Sequence, residues 1–244
     1  MKDGFQREGD LQDLASYPGW LQEMIAETGD ARAQVVRHPV FSDMRDAKLS
    51  ARQFAAFLVN GWPVVEQFPQ YMAMNLLKLR DAHSRGEAMA RRYLTRNIRV
   101  EQNHADHWLA WCAAHDVSKD KLAKNDGPSL AYALSHWCWK SSSADPLAAS
   151  MAATNYAIEG VTGEWSALVC SRDDYEMSLP EAIRKRTIRW LKLHAHYDDA
   201  HPWEALDIIA TLLGNAPRTD EIAGVRNSIL KSFEYFKISL DCCL

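Results

Sequence analysis

Apolar residues recur along most of the chain at intervals of three and four positions, the spacing of one face of an α-helix. Alternating runs of Val, Ile and Thr bounded by turn residues, which are typical of β-strands, are nearly absent. The sequence therefore predicts an all-α fold. We expect residues 1–244 to form a single domain, with a poorly ordered polar arm at residues 1–12.

Capping signals predict where the helices begin. Ser50-Ala-Arg-Gln53 and Ser84-Arg-Gly-Glu87 are capping boxes, and they predict long helices that reach about residues 80 and 114. Ser178 is expected to cap the helix that leads to His194, and Pro202 is expected to bend the chain directly after His201. The other predicted helices cover residues 17–36, 40–47, 129–140 before a polar break at 141–143, 146–170 and 203–214. Thr219 is expected to cap a final helix that continues into the C-terminal segment.

Three polar residues near the end of one predicted helix converge on one face. His194, Asp198 and His201 stand at i, i+4 and i+7, so on a continuous helix they fall within roughly 60° of one another around the axis. Two imidazoles and a carboxylate suit iron or manganese. The five cysteines show no CxxC spacing that would favour zinc. This stripe predicts a metal site.

Further carboxylates extend the predicted site. Glu101 and His104 have the i, i+3 spacing by which one helix contributes to a carboxylate-bridged di-metal centre, although a surface pair is the alternative. Glu66 and Glu159 lie inside apolar helical segments, where a carboxylate needs either a metal or an ion pair with Arg or Lys. Four clustered carboxylates repel one another unless cations lie among them, and two Fe(II) ions balance the charge. The predicted ligands are Glu66, Glu101, His104, Glu159, His194, Asp198 and His201.

The remaining histidines are predicted to lie outside this site. His38, before Pro39, is expected to cap or orient a helix, although a haem ligand is the alternative for such a residue in an all-α fold. Glu204 is expected at the surface. The others are predicted to point away from the stripe or to be solvated near helix ends: His83, His107, His115, His136 and His196.

Composition excludes several classes of function. The net charge of -4 and the sequence pI near 6.1 disfavour nucleic acid as a partner, because binding phosphates needs a basic excess. We expect a cytoplasmic protein, since we find no signal-peptide pattern and no apolar run long enough for a transmembrane segment. An odd number of cysteines in such a compartment predicts free thiols.

Several segments resemble a known family. His38-Pro39 and Gly61-Trp62-Pro63-Val64-Val65-Glu66-Gln67-Phe68-Pro69 are similar to the opening of the haem-oxygenase-like superfamily, which includes TenA and PqqC proteins. The segments 99–106, 155–160 and 194–205 resemble the metal-binding motifs of the UndA family of 1-undecene-forming fatty-acid decarboxylases. The resemblance covers essentially the whole chain.

The resemblance implies how the ligands are divided and which reaction they serve. It implies Glu101, His104 and His194 at one iron, and Glu159, Asp198 and His201 at the other, with Glu66 as an additional ligand. It further implies dioxygen as co-substrate, an unidentified external electron donor, and conversion of dodecanoic acid, a medium-chain fatty acid, to 1-undecene and carbon dioxide after removal of a hydrogen from Cβ.

An acyl chain needs a long apolar pocket, which the many Trp, Phe, Met and Leu residues can supply. Gly160 and Gly163 are expected to make room for it near Glu159. Two alternatives stay open: a di-iron oxidase of the same fold that acts on an amino-acid-like substrate, and a non-catalytic TenA-like or haem-binding protein. A homo-oligomer is compatible with the sequence.

Overall fold

A computed structural model describes residues 4–79, 83–124, 127–197 and 200–244 of the protein, with residues 196 and 197 described by their backbone alone. Every regular element in these ranges is a helix, which confirms the all-α prediction. The α-helices are α1 (Gly19–Glu27), α2 (Gly29–Val36), α3 (Pro39–Arg45), α4 (Ala51–Leu77), α5 (Arg85–Ala114), α6 (Lys119–Lys124), α7 (Ala133–Ala144), α8 (Leu147–Met151), α9 (Glu159–Cys170), α10 (Asp174–Ser178), α11 (Glu181–Thr187), α12 (Arg189–Tyr197), α13 (His201–Leu213) and α14 (Thr219–Asp241). Short 3-10 helices lie at Leu14–Ser16 and Ser129–Tyr132.

The two longest helices, α4 and α5, pack against each other at the centre of the bundle. Both begin at the predicted capping boxes: the amide of Gln53 donates to the Ser50 hydroxyl at 3.3 Å, and the amide of Ser50 donates back to the Gln53 side chain at 3.1 Å. Ser84 and Glu87 make the same exchange. Helix α4 continues through Pro63 and Pro69 without an interruption of its assignment.

Three predicted boundaries are wrong. Helix α7 continues through the expected break at residues 141–143, because the Ser143 hydroxyl bonds the Trp139 carbonyl of its own helix at 2.7 Å and so needs no other partner. Ser178 caps no helix: its hydroxyl donates to the Tyr175 carbonyl, and Pro180 precedes α11. Thr219 is the first residue of α14 and not its cap.

The helix expected to carry His194 and His201 together is two helices. Helix α12 holds His194, and α13 begins at His201 with Pro202 in its first turn. The predicted bend after His201 is therefore wrong, and the break precedes this residue. Proline is favoured in a first helical turn, where its missing amide would have no helical partner.

A seven-residue π-helix, Ala152–Ile158, joins α8 to α9 and ends directly before Glu159. All seven of its residues are buried. Helical segments of this kind are rare and occur frequently at functional sites, since the wider turn changes which side chains share a face.

The core is one continuous cluster of aromatic and aliphatic side chains drawn from most of the helices. Its largest fully buried members include Trp111, Trp165 and Tyr71. Phe5 also belongs to it and stacks on Tyr17 at 6.0 Å between ring centroids, so the described part of the predicted N-terminal arm packs against the bundle. No helix in the described ranges is both long and apolar enough to cross a membrane.

Candidate metal centre

Glu101 and His104 lie one turn apart on the buried face of α5. The Oε2 atom of Glu101 is 3.0 Å from Nδ1 of His104. Two adjacent ligands of one ion, each about 2.1 Å from it and at a right angle, stand about 3.0 Å apart. This separation fits two ligands of one metal ion, and it equally fits the hydrogen bond that the two side chains make without one.

His194 of α12 lies beside this pair, with its ring centroid 4.5 Å from that of His104. Its Nδ1 is 2.8 Å from the Trp190 carbonyl oxygen, which can only accept a hydrogen bond. Nδ1 must therefore carry the proton, and the lone pair of the neutral ring lies on Nε2. A backbone carbonyl that fixes the tautomer in this way is a common support for a metal-binding histidine.

Glu159 is the first residue of α9 and is held by three groups. Its Oε1 accepts from the Asn155 amide at 2.7 Å, and its Oε2 accepts from the Tyr93 hydroxyl at 3.3 Å. Nδ1 of His201 lies 3.8 Å from Oε2. Burial, together with the carboxylates of Glu159 and Glu101, raises the pKa of Tyr93 well above its usual value, so its phenol stays protonated and donates.

Four of the predicted ligands face one cavity. Glu101, His104, Glu159 and His194 all line it, and each of them is buried. Buried carboxylates with buried imidazoles form a hard-to-borderline donor set that fits ferrous iron, since the carboxylates would otherwise be costly to bury. In the described part of the chain no three ligand-type side chains are already arranged around one point. The structure thus brings five predicted ligands close to one another. Glu101 and His194 each lie beside His104, and Glu159 lies beside His201.

Two predicted ligands stand apart from this group. Glu66 is exposed on α4 and is not among the residues that line the cavity. The expectation that Glu66 is buried is wrong, because the face of α4 on which it lies is open to solvent. Asp198 lies outside the described residues. The metal-binding roles of all seven residues stay predictions.

Most of the residues predicted to lie outside the site do so, with the side chain of His196 outside the described part of the structure. His38 caps α3 by accepting from the Val40 amide at 3.3 Å, and its Nε2 is 3.0 Å from Asp241. Both of its ring nitrogens are thus engaged, which disfavours a haem ligand. Glu204 pairs with Arg96 at the surface. The prediction for His115 is wrong: it is half-buried against Phe54.

A second, apolar cavity adjoins the first. The two share Val64, Val65, Ile158, Thr162 and Trp190 as lining residues. From there the second cavity extends between α4 and α14. The residues that line it there are Asn60, Gly61, Phe236, Ser239, Leu240 and, just after α14, Cys243.

The glycine that serves this cavity is not one of those expected. Gly160 and Gly163 line neither cavity, and a Cβ on Gly160 would instead meet Pro202 at 3.5 Å. Gly61 does line the apolar cavity, and a Cβ there would lie 2.8 Å from the Trp108 ring. The absence of a side chain at Gly61 therefore lets Trp108 pack against α4.

Comparison with known proteins identifies the family. Residues 55–230 match the haem-oxygenase-like family described as iron-containing redox enzyme. The chain belongs to this family. It is 54% identical to a TenA homolog from Pseudomonas syringae pv. tomato str. DC3000, whose crystal structure covers 99% of both chains with a TM-score of 0.97.

More distant structures share the fold alone. A TenA homologue from Pyrococcus furiosus is 14% identical, with a TM-score of 0.74 over 92% of this chain and 100% of that one. A domain of unknown function with a heme oxygenase-like fold from Shewanella denitrificans OS217 is 13% identical, with a TM-score of 0.71 over 96% and 93%. No curated protein matches the chain significantly.

Sequence reasoning missed the residues that support the predicted ligands. Asn155 stands four residues before Glu159, so helical spacing could have indicated it. Tyr93 contacts Glu159 from a different helix and gave no signal in the sequence. Trp190 stands four residues before His194, but its backbone carbonyl makes the contact, which residue type does not reveal.

Proposed function

We propose that this iron-containing redox enzyme uses dioxygen to decarboxylate a medium-chain fatty acid, converting dodecanoic acid to 1-undecene and carbon dioxide. The proposal combines the family, the predicted di-iron ligand set and the resemblance to UndA decarboxylases with the shape of the interior. The observation that carries it is the apolar cavity that adjoins, and shares five lining residues with, the cavity lined by Glu101, His104, Glu159 and His194.

The length of the combined cavity supports a medium-chain substrate. Helix α4 lines the two adjoining cavities from Phe57 to Phe68, eleven residue steps, which corresponds to about 16 Å at the α-helical rise. The eleven carbon–carbon bonds of dodecanoic acid extend over about 13 Å at roughly 1.2 Å a bond, the advance of an extended chain. An acid with its carboxylate at the ligand cluster therefore fits within this length, and its methyl end comes near Asn60.

The lining residues fit the requirements of such a reaction. Val64, Val65 and Ile158 border both cavities, so they contact the first carbons of the chain and keep water from the carbon that loses hydrogen. Bound ferrous iron would supply the activation of dioxygen and a site for the substrate carboxylate. Glu101, His104 and His194 would hold one ion, and Glu159 with His201 and Asp198 the other.

The electron balance calls for a further partner. Removing two hydrogens and carbon dioxide from the acid supplies two electrons, whereas full reduction of dioxygen to water takes four. An external reductant must therefore deliver two electrons in each turnover.

The test loads the protein with Fe(II) without oxygen, adds dodecanoic acid, and then admits oxygen with a chemical reductant. We expect 1-undecene in the headspace and an equal amount of carbon dioxide. His194→Ala should abolish both, whereas His136→Ala, which changes an exposed histidine, should not. Normal iron binding without alkene would instead favour an amino-acid-like substrate, and a Soret band would favour the haem-binding alternative.

A further inference from the structure

An unbroken row of aromatic rings leads away from the predicted iron ligands. The Trp190 ring stacks on His194 with centroids 3.8 Å apart and an angle of 29° between the rings. The Trp111 ring stacks on Trp190 at 5.6 Å, and Tyr175 follows Trp111 at 6.5 Å. Electrons tunnel across gaps of this size between aromatic rings far faster than enzymes turn over.

Hydrogen bonds at the outer end of this row fix which group accepts the proton of the Tyr175 hydroxyl. The indole Nε1 of Trp111 can only donate, and it lies 2.6 Å from the Tyr175 hydroxyl oxygen, which therefore accepts. The hydroxyl's own proton is then available to Nε2 of His115, 2.9 Å away. Tyr175 thus contacts Trp111, to which it can give an electron, and His115, to which it can give a proton.

The surroundings keep both partners in the forms that this transfer needs. Burial lowers the pKa of His115 from 6.5 to about 4, so its ring is neutral and can accept a proton near neutral pH. Burial raises the pKa of Tyr175, so the phenol keeps its proton until it is oxidised. Trp111 and Tyr175 are buried, whereas His115 is partly exposed at the end of α5.

We propose that Trp190, Trp111, Tyr175 and His115 form a redox relay that carries single electrons between the iron site and the protein surface. The relay depends on the iron redox chemistry of the family and not on the fatty-acid substrate. It goes beyond the proposed reaction, because it would also protect the ligands when an oxidant forms and no substrate is bound.

Each step of the relay balances. Trp190 would give one electron to oxidised iron held at His194, Trp111 would replace the electron of Trp190, and Tyr175 would replace the electron of Trp111. The O–H bond of Tyr175 breaks as its electron leaves, and its proton moves to Nε2 of His115. A one-electron reductant at the surface, such as a thiol or a reduced iron–sulfur protein, then returns an electron to the Tyr175 radical while His115 returns the proton.

The test detects the radical and not the alkene. Protein loaded with Fe(II) and free of fatty acid is mixed with hydrogen peroxide, frozen within milliseconds, and measured by electron paramagnetic resonance. We expect a tyrosyl signal that narrows when the protein carries ring-deuterated tyrosine. Protein loaded with redox-inactive Zn(II) should give none.

Variants locate the radical. Tyr175→Phe and Trp111→Phe keep an aromatic ring in place and should each abolish the signal, and His115→Gln should reduce it because the phenolic proton loses its base. Tyr71→Phe is the matched control, since Tyr71 is also buried with its hydroxyl hydrogen-bonded but lies outside the row.

The relay is overturned if Tyr175→Phe or Trp111→Phe keeps the wild-type signal, or if wild-type protein whose iron is oxidised normally forms no aromatic radical. Iron oxidation is followed optically in every sample, so a failure to bind iron is recognised separately. Because no fatty acid is present, a failure of the proposed decarboxylation leaves this result unaffected.

Discussion

Lengthening one side chain at the far end of the apolar cavity should shorten the preferred substrate. Ser239 is buried, lines this cavity, and lies on α14 at the end away from the predicted ligands. Ser239→Leu places a larger apolar side chain where the methyl end of dodecanoic acid is expected. We expect it to exclude about two methylene groups of the substrate, each worth about 0.8 kcal/mol when buried.

That loss corresponds to about 1.6 kcal/mol, or roughly a fifteenfold fall in kcat/KM for dodecanoic acid. The value for decanoic acid should change little, because its shorter chain ends before the new side chain. The assay measures alkene from both acids by gas chromatography. Ser143→Leu on the exposed surface of α7 serves as the control.

An equal fall for both acids would mean that the substitution disturbs the fold or the iron site. An unchanged preference would mean that the acyl chain does not occupy this cavity. The second result refutes the placement of the substrate. The first refutes it only where a thermal unfolding scan and the iron content show that the variant is intact.

Three further predictions follow from single contacts. Asn155→Ala should lower iron affinity at the Glu159 position by about 10–100-fold in a metal titration, because it removes the 2.7 Å hydrogen bond that orients this carboxylate; unchanged affinity would contradict that role. Gly61→Ala should cost about 1–3 kcal/mol in a denaturant unfolding experiment, since its Cβ would lie 2.8 Å from Trp108, and a neutral result would mean that the ring moves freely. The half-buried His115 has a pKa lowered from 6.5 to about 4, so folding favours its neutral ring and stability should fall as the pH drops from 6.5 toward 4. His115→Gln should flatten that part of the stability profile, and an equally steep profile would contradict the assignment.

Local signals in the sequence were sufficient for much of the fold. Ser50 and Ser84 fix their helix starts through bonds to residues three positions away, so the pattern contains both partners. The Glu101 and His104 pair depends on one helical turn and is found where the spacing places it. Predictions of this kind succeed because the interacting atoms are close in the chain.

The structure corrects several predictions that depend on contacts between helices. The prediction that His194, Asp198 and His201 share one face requires one straight helix. Pro202 is compatible both with ending a helix and with starting one, and here it lies in the first turn of α13. The apolar neighbours of Glu66 suggested burial, whereas its own direction on α4 depends on which helices cover that face. The position of His115 at a helix end predicts a solvated side chain, whereas Tyr175 and Phe54 from other helices cover part of it.

The central claim is that buried carboxylates and imidazoles from four helical segments hold iron, and iron bound per chain tests it most directly. We predict two ferrous ions per chain after anaerobic reconstitution, with His194→Ala and Glu159→Ala each losing one and the exposed His136→Ala losing none. Variants that stay folded and bind as much iron as the wild-type protein, or a wild-type chain that binds none, would contradict the account.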